Sequence, residues 1–439
     1  MEILKTARTL LEKYPLCDSC LGRQFALLAH GLTNQERGRT IKLLLILEAQ
    51  RMALEKGEEW KELLTTIAVN GLSDLAVENL KDAGINVDKA EVCHLCLNVL
   101  DILQDLAEKA AKKAEEYEHE TFLVGVNVPP KIEDLEDELR AKFNVKWGES
   151  IRNELSREIG KRIEAITEKT VDYRKPDILI VINPFTNSLA LNVRPLFIAG
   201  RYRKLVRGIP QSRWVCTSCN GKGCPHCDWK GKMYSESVEE LIGAPLLKMT
   251  GGTDTRFHAA GREDVDARVL GPGRPFIIEV KKPKKRTISL KRLEKKIAQT
   301  AEGKAEASDL KMSSKEEVRK IKAGENAEKV YRAVVEFERE VSDKDIALLE
   351  NSLTNNPIRQ LTPLRVLHRR ADKMRERRIL ETKVKRLKPS MVEMLIRCQG
   401  GLYIKELITG DQGRTGPNVS TLIGVNGKCI ELDVMDVRV

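Results

Sequence analysis

Apolar residues in the first 120 positions recur at helical intervals. Residues 41–48 predict one buried face of a helix, and residues 103–118 predict a long amphipathic helix that is rich in charge. The pattern changes at residues 122–128, an apolar run typical of a strand that Pro129 and Pro130 end. The chain therefore predicts a mostly helical first segment followed by a mixture of strands and helices.

Strand and helix patterns continue beyond this point. Residues 150–167 predict a helix, and residues 177–182 and 188–193 predict two strands joined by a hairpin turn, because Pro184 and Asn187 lie between them. This stretch is therefore expected to form a small sheet with at least one helix against it.

From about residue 236 to the end, the pattern indicates another mixed unit. Residues 329–338 predict a strand, residues 403–410 predict an amphipathic strand, and residues 429–437 form the last segment of this unit. Between them, residues 300–326 form a polar stretch. The chain as a whole predicts an α+β fold.

Composition indicates a folded protein with a basic charge balance. Of its 439 residues 41% are hydrophobic, and 76 Lys and Arg against 65 Asp and Glu leave a formal charge of +11. No stretch approaches the roughly 18 apolar residues of a membrane-spanning helix, and the first residues predict an amphipathic helix where a secretion signal would be apolar. We therefore expect the protein to work in the cytoplasm.

The cysteines are spaced as metal ligands. Eight of the ten fall into four C-x-x-C pairs, a pattern more typical of a metal site than of a disulfide framework. Two pairs are adjacent, and the other two meet if the helices between them fold back. Four thiolates form a closed shell, so we expect structural zinc at one or both sites. The predicted ligands are Cys17, Cys20, Cys93, Cys96, Cys216, Cys219, Cys224 and Cys227.

Candidate catalytic chemistry lies at residues 261–266, Gly-Arg-Glu-Asp-Val-Asp, shortly before a glycine-rich turn that contains Gly271 and Gly273. If this stretch is a strand, side chains two positions apart share a face, so Arg262 and Asp264, or Asp264 and Asp266, would face one pocket. A carboxylate held beside a guanidinium stays ionised at neutral pH, as nucleophilic or base catalysis requires.

Two basic segments lie in the same part of the chain. Residues 281–296 contain nine Lys and Arg against one acid, and Pro283 predicts that they begin as an extended loop that runs into a helix. Residues 365–388 form the second segment, which includes Arg365 and Arg370. Such density attracts phosphates. Because only 4% of residues are aromatic, recognition of phosphates and shape in folded RNA is favoured over a stacking platform.

These residues resemble a known family, the pseudouridine synthases, whose catalytic loop carries Gly-Arg, a variable residue and Asp. Gly261–Asp264 match that motif, and the longer run at 261–276 looks like the archaeal and eukaryotic branch that modifies tRNA. That branch also carries paired cysteines and a THUMP-type RNA-binding domain, which residues 148–202 resemble. The resemblance covers nearly the whole chain.

The resemblance implies an isomerase that acts on tRNA and uses no organic cofactor. Its target is the T-loop, where it modifies one or both of the uridines at positions 54 and 55. We expect the enzyme to work as a monomer. Asp264 is then the nucleophile, with Asp266 as the alternative. Arg262 supports the loop or the flipped-out nucleotide, Tyr331 stacks on the target base, and Lys405 pairs with the nucleophile. The implied substrate-binding residues are Ile404, Leu432, Tyr403, Lys284, Lys285, Arg286, Arg369 and Arg370.

The resemblance also implies how the chain is divided. Residues 1–120 would be a mostly helical zinc-binding part, residues 121–235 a THUMP-like part ending in a four-cysteine knuckle, and residues 236–439 a catalytic domain with a mixed, largely antiparallel sheet. Residues 281–296 would form a mobile loop that closes on the substrate. Two alternatives remain: another THUMP-type tRNA-modifying enzyme, such as a methyltransferase or thiouridine synthase, and a non-catalytic zinc-containing RNA-binding factor.

Overall fold

In the computed structural model, which describes residues 2–323 and 327–438, the chain divides into two units, Met1–Arg194 and Pro195–Val439. The side chains of Asn355 and Arg369 lie outside the description. This division differs from the predicted boundary at residue 235, because residues 196–204 form a strand that pairs within the second unit. Among the described residues, none of the helices is long and apolar enough to cross a membrane.

Side-chain caps begin several helices of the first unit. The Thr33 hydroxyl accepts a hydrogen bond from the Glu36 backbone N–H, and the Glu36 carboxylate accepts one from the Thr33 N–H. The Ser73 and Ser150 hydroxyls cap two further helices by accepting a hydrogen bond from the backbone N–H of Ala76 and of Asn153. The first six helices are α1 (Glu2–Lys13), α2 (Asp18–Arg23), α3 (Asn34–Leu54), α4 (Trp60–Val69), α5 (Asp74–Asp82) and α6 (Leu103–Ala114), with a 3₁₀ turn at Val99–Ile102.

A four-stranded sheet completes the first unit. In it β1 pairs in parallel with β2 and β3, and β3 and β4 form the predicted antiparallel hairpin, with Asn183 opposite Ser188. Buried side chains from Ala7 to Val193 form one hydrophobic cluster, so the predicted helical and THUMP-like parts share a core. The elements are β1 (Thr121–Val126), α7 (Pro130–Phe143), α8 (Ile151–Thr167), β2 (Thr170–Val171), β3 (Ile178–Asn183) and β4 (Ser188–Val193).

The second unit is built on an eight-stranded sheet that is largely antiparallel, as predicted. Its strand order is β12-β13-β9-β15-β7-β5-β8, with β6 also paired to β7, and only β15 and β7 run parallel. A small sheet has the order β11-β10-β14. The strands are β5 (Leu196–Lys204), β6 (Asp254–Ala259), β7 (Arg268–Lys281), β8 (Ala305–Met312), β9 (Lys329–Phe337), β10 (Ile358–Gln360), β11 (Arg375–Arg377), β12 (Ile379–Lys388), β13 (Met391–Cys398), β14 (Thr415–Gly416) and β15 (Gly427–Val437).

Six helices pack around these strands. The basic segment at 281–296 runs from the end of β7 through a loop into α10, as its proline predicted. The helices are α9 (Val238–Thr250), α10 (Leu290–Ala301), α11 (Lys315–Ala323), α12 (Asp343–Asn355), α13 (Ile404–Thr409) and α14 (Val419–Ile423), with 3₁₀ turns at Pro225–Cys227 and Leu364–Arg369.

Several local predictions in this unit are wrong. Residues 403–410 contain helix α13 where a strand was predicted. The polar stretch at 300–326, for which no structure was predicted, contains β8 and α11, and its last three residues lie outside the described ranges. The glycine-rich residues do not form a turn but lie within β7. Gly271 has φ +55°, and a Cβ there would lie 2.1 Å from the Met435 carbonyl oxygen, so glycine allows β15 to approach closely.

Candidate active site

A cavity of about 770 Å³ opens in the second unit. Its walls come from the loop at 260–267, from β9 and β15, and from residues 364–370 and 401–405. Lys284, Lys285 and Arg286 lie elsewhere, between β7 and α10, and the side chain of Arg369 is outside the described part of the structure. The predicted side chains that line the cavity are Arg262, Asp264, Asp266, Tyr331, Arg370, Tyr403, Ile404, Lys405 and Leu432.

The loop that carries Asp264 is irregular, which corrects the prediction of a strand at 261–266. A buried lysine holds its backbone: the Nζ of Lys204 donates to the carbonyl oxygens of Asp264 and Val265, both at 3.1 Å, and to that of Ile209 at 2.8 Å. Burial lowers the pKa of Lys204. The loop shape therefore depends on a residue of β5 that the sequence analysis did not identify.

Side chains of neighbouring loop residues point to different environments. Glu263 is buried beneath the loop, where its Oε2 accepts a hydrogen bond from the Tyr202 hydroxyl at 2.8 Å and lies 3.1 Å from the Nε of Arg274. Asp264 lines the cavity, with 27% of its side chain exposed. The buried glutamate thus anchors the loop while the next carboxylate is presented to a ligand.

Two cations face the Asp264 carboxylate. The Nη1 of Arg365 lies 2.8 Å from Oδ1, and the Nζ of Lys405 lies 3.6 Å from Oδ2. Lys405 is closer to Asp266, at 2.5 Å from its Oδ2. Burial by itself would raise the pKa of Asp266, but the hydrogen bond and charge of Lys405 lower that pKa below its ordinary value. Lys405 is therefore shared, and Arg365 is the closer partner of Asp264.

Arg365 is held from its other side by a buried carboxylate. Its Nε lies 2.6 Å from Oε1 of Glu406, which is 4% exposed and belongs to α13. The sequence analysis placed Arg365 only in a basic segment for RNA, and no local motif marks its pairing with Asp264. The 3₁₀ turn at Leu364–Arg369 brings the two together across a large separation in sequence.

The apolar and aromatic side of the cavity comes from three elements. Tyr331 lies on β9, where burial raises the pKa of its hydroxyl well above the ordinary value, so this group stays protonated. Ile404 and Leu432 are buried cavity residues. Tyr403 precedes α13, and its hydroxyl accepts a hydrogen bond from the Nη1 of Arg370 at 3.0 Å. A flat aromatic ligand would meet one phenol ring and two aliphatic side chains here.

Arg262 is stacked on an aromatic ring at the cavity wall. Its guanidinium carbon lies 5.0 Å from the ring centroid of Trp214, a cation–π arrangement. Trp214 contacts the Tyr234 ring edge-on, with centroids 5.2 Å apart. Arg262 is therefore positioned by a residue just before the four-cysteine knuckle, a link that sequence spacing alone did not reveal.

The basic segment before α10 is anchored near its start. The backbone N–H groups of Lys284 and Lys285 both donate to the carbonyl oxygen of Thr250, each at 2.8 Å. This bond fixes the start of the segment that was predicted to be a mobile loop. The side chains of Lys284, Lys285 and Arg286 are carried next to the end of α9.

The eight predicted metal ligands form two clusters of four thiols, one in each unit. Within each cluster the sulfur atoms lie within 4.8 Å of one another. Tetrahedral zinc with Zn–S bonds of about 2.3 Å places its sulfur atoms about 3.8 Å apart. The Sγ atoms of Cys216 and Cys224 are 3.8 Å apart, and those of Cys17 and Cys96 are 3.7 Å apart. Both clusters could hold such an ion.

Two family models match the chain. The model described as "Pus10, C-terminal" matches residues 197–438, and the model described as "Pus10 THUMP domain, archaeal" matches residues 106–183. The first covers more than half of the chain and spans the cavity and the second cysteine cluster.

Curated relatives match along nearly their full length. The tRNA pseudouridine synthase Pus10 of Methanocaldococcus jannaschii is 44% identical over 437 residues, which cover 98% of this chain and 93% of that protein. The protein of the same name from Methanopyrus kandleri is 42% identical over 435 residues, covering 98% and 97%. That of Methanothrix thermoacetophila is 38% identical over 438 residues, covering 99% and 94%.

Proposed function

Because this chain belongs to the Pus10 family and is a tRNA pseudouridine synthase, we propose that it isomerises uridine in the T-loop, at position 54, at position 55 or at both, with Asp264 as the nucleophile. The observation that carries the proposal is the Asp264 carboxylate, presented to a cavity between two cations and facing the same space as Tyr331. The family membership confirms the resemblance and sets aside the methyltransferase, the thiouridine synthase and the non-catalytic factor.

The isomerisation requires the site to hold one nucleotide while one bond is broken and another is formed. The C1′–N1 bond breaks, the uracil rotates, a C1′–C5 bond forms, the proton on C5 leaves to solvent, and N1 takes up a proton in its place. Asp264 attacks the uridine to allow the first of these steps, and the bond that it forms to the nucleotide is broken again before the product leaves, so the carboxylate is regenerated. A cavity of about 770 Å³ admits a nucleotide that has left its stack, and the walls keep the detached base in place.

The other cavity residues position the base and the nucleophile. Tyr331 stacks on the base and replaces the stacking that the uridine loses when it is flipped out. Ile404 and Leu432 close the apolar side, and Lys405 holds the carboxylate group of the loop. Arg262 supports the loop or the flipped-out nucleotide from its stacked position on Trp214.

Recognition of the rest of the tRNA falls to basic residues outside the nucleophile's immediate surroundings. Arg370 and Arg369 come from the turn that also supplies Arg365, and Lys284, Lys285 and Arg286 come from the anchored segment before α10. Their charge attracts phosphates. The first unit, with its THUMP domain, grips a distant part of the tRNA while the second unit carries out the isomerisation.

Zinc is the metal we assign to both cysteine clusters. The sulfur–sulfur distances fit tetrahedral thiolate coordination, and backbone N–H groups of Gly223 and Gly231 each donate to a cluster sulfur at 3.2 Å. Four thiolates fill the coordination shell, so zinc here would stabilise the fold and take no part in the reaction.

We also assign the activity to a monomer in the cytoplasm. All ten cysteines are free of disulfide bonds, which suits a reducing compartment. Size-exclusion chromatography with light scattering tests the monomer, and a mass near twice 49.5 kDa would contradict it.

The proposed function is tested with an unmodified tRNA transcript. We expect the wild-type protein to form pseudouridine at position 54, at position 55 or at both, mapped by primer extension after chemical modification. Transcripts with cytidine at 54, at 55 or at both serve as matched controls for the two positions. The Asp264→Ala variant should bind the transcript with wild-type affinity and form no pseudouridine. Product at neither T-loop position with the wild type, or undiminished product with the variant, would refute the proposal.

A further inference from the structure

The second cysteine cluster sits on a strap, residues 213–234, that links β5 to α9 beyond the cavity. Trp214 at its base lines the cavity, and its carbonyl oxygen accepts a hydrogen bond from the Met233 N–H at 2.9 Å. Val215 and Lys232 form an isolated antiparallel bridge next to it. The strap therefore leads from the cavity wall to the cluster and back.

The strap contains the same short backbone motif twice, once after Cys219 and once after Cys227. The sequences that follow these cysteines are Asn-Gly-Lys-Gly and Asp-Trp-Lys-Gly. Asn220 and Asp228 both have φ +49°, and the final glycine of each copy donates its N–H to the preceding cysteine sulfur at 3.2 Å. The two copies are thus equivalent in backbone conformation and in their bonds to sulfur.

One position differs between the copies. Gly221 has φ +89°, whereas the equivalent residue of the second copy, Trp229, has φ +63°. Glycine adopts this left-handed region without cost, but a bulky L residue is strained there. The backbone conformation therefore does not explain why the second copy has tryptophan at the position where the first copy has glycine.

Packing does not supply that reason. Trp229 is 73% exposed, so most of its large apolar ring faces water. The cation that follows it, Lys230, is also exposed, and Lys222 occupies the equivalent exposed position in the first copy. Lys230 lies 3.5 Å from the carboxylate of Asp228. An exposed ring among lysines is the combination that binds unpaired nucleobases, because the ring stacks and the cations attract the backbone.

We propose that Trp229 stacks on an unpaired T-loop base of the tRNA whose target uridine enters the cavity. This rests on the proposed function, since it takes RNA to be the substrate. The strap then clamps the RNA from the cavity wall, and the cysteine cluster serves to hold the aromatic ring in its left-handed position. The Trp229 ring also adds one stacking contact to a chain whose composition favours recognition of RNA through its phosphates and its shape.

The test measures the affinity of full-length variants for an unmodified tRNA transcript. Trp229→Gly restores the residue that the equivalent position carries, so it should keep its metal content and melting temperature. We expect Trp229→Gly and Trp229→Leu to bind roughly tenfold more weakly, and Trp229→Phe to bind nearly as well as wild type. Leu348→Ala removes another exposed apolar side chain of the same unit and should change nothing.

Trp229→Leu and Trp229→Phe both place an L residue at the left-handed position, so a difference in affinity between them reports on the aromatic ring alone. This comparison tests stacking even if Trp229→Gly were to lose its metal. Equal affinity of these two variants, or wild-type affinity of Trp229→Gly, would overturn the proposal and leave a protein partner as the reason for the exposed ring.

Transcripts with one abasic T-loop position at a time identify the contact. With the transcript that lacks the stacked base, wild type and Trp229→Gly should bind with equal affinity. A weaker affinity of Trp229→Gly for every one of these abasic transcripts would also overturn the proposal. Because binding is measured without turnover, a wild-type protein that forms no pseudouridine would refute the proposed function separately.

Discussion

A cluster of charged side chains is buried in the first unit, whereas the ion pair that faces the cavity of the second unit is partly exposed. In the first unit, Arg23 is fully buried between two glutamates, with its Nε 2.8 Å from Glu136 and its Nη1 2.6 Å from Glu154. In the second, 37% of the Arg365 side chain and 27% of the Asp264 side chain remain exposed although they form an ion pair. A buried cluster cannot change partners without unfolding, whereas a half-exposed pair can exchange one for a substrate group.

The two cysteine clusters show the same difference. Cys20, Cys93 and Cys96 belong to the hydrophobic core of the first unit. The second cluster lies on a surface strap, and its cysteines belong to none of the hydrophobic clusters found among the described residues. We infer that the first cluster stabilises a core and the second stabilises a surface that meets the substrate.

Removing a ligand from the core cluster should have the largest effect. Structural zinc contributes on the order of 10 kcal/mol to the folding of small domains, so Cys20→Ala should lose one zinc and unfold the first unit. Cys219→Ala should also lose one zinc but leave the main thermal transition near its wild-type temperature. Cys429→Ala, outside both clusters, is the control. Calorimetry measures the thermal transitions, and metal analysis measures the zinc content of each variant. Equal destabilisation by the Cys20 and Cys219 variants would show that the two clusters do not differ in their contribution to stability.

Breaking the buried charge cluster comes next. Arg23→Met removes the one cation that pairs with both buried carboxylates and should cost about 3–5 kcal/mol in the free energy of unfolding. Replacing Glu136 and Glu154 by Met in the same chain should recover most of that loss. Urea unfolding at neutral pH measures both values. A loss below about 1 kcal/mol for the single variant would show that the cluster does not hold the core.

The half-exposed pair should respond in the opposite sense. Arg365→Met combined with Glu406→Gln, which removes the buried carboxylate that Arg365 also pairs with, should change stability by less than about 1 kcal/mol, but it frees Asp264 to move and should lower the single-turnover rate about 100-fold. The tRNA dissociation constant should stay close to that of wild type, and Arg365→Lys should restore part of the rate. Arg359→Met removes an exposed arginine that pairs with Glu376 on the small sheet, and it is the matched control. Undiminished turnover would contradict a positioning role.

The smallest effect concerns pH. Asp433 is buried, which by itself would raise its pKa, but the hydrogen bond from Arg268 and the charges of Arg207 and Arg332 lower that pKa below its ordinary value. A depressed carboxyl pKa contributes stability that is present above its unfolded-state value of about 3.9 and is lost as pH falls through the folded-state value. Unfolding free energies of wild type and Asp433→Asn should therefore converge below about pH 4. A constant difference down to pH 3 would show that this carboxylate is not the cause.

Prediction from sequence worked where local pattern decides structure. The helix at residues 150–167, the hairpin that follows it and the cysteine groupings were identified because caps, turn residues and spacing are local signals. Lys204 and Arg365 were not predicted to support the loop that carries Asp264, because their partners lie far away in sequence. Gly271 and Gly273 indicated a turn, but their positive φ angles lie within strand β7.

The central claim is that Asp264, and not Asp266, is the nucleophile. The most direct measurement is single-turnover release of tritium from tRNA labelled at C5 of uridine, because the new C1′–C5 bond displaces that hydrogen. Asp264→Asn keeps the size of the side chain and should release none, while Asp266→Asn should still release tritium at a reduced rate. Release by the Asp264 variant, or its complete loss only in the Asp266 variant, would contradict the account.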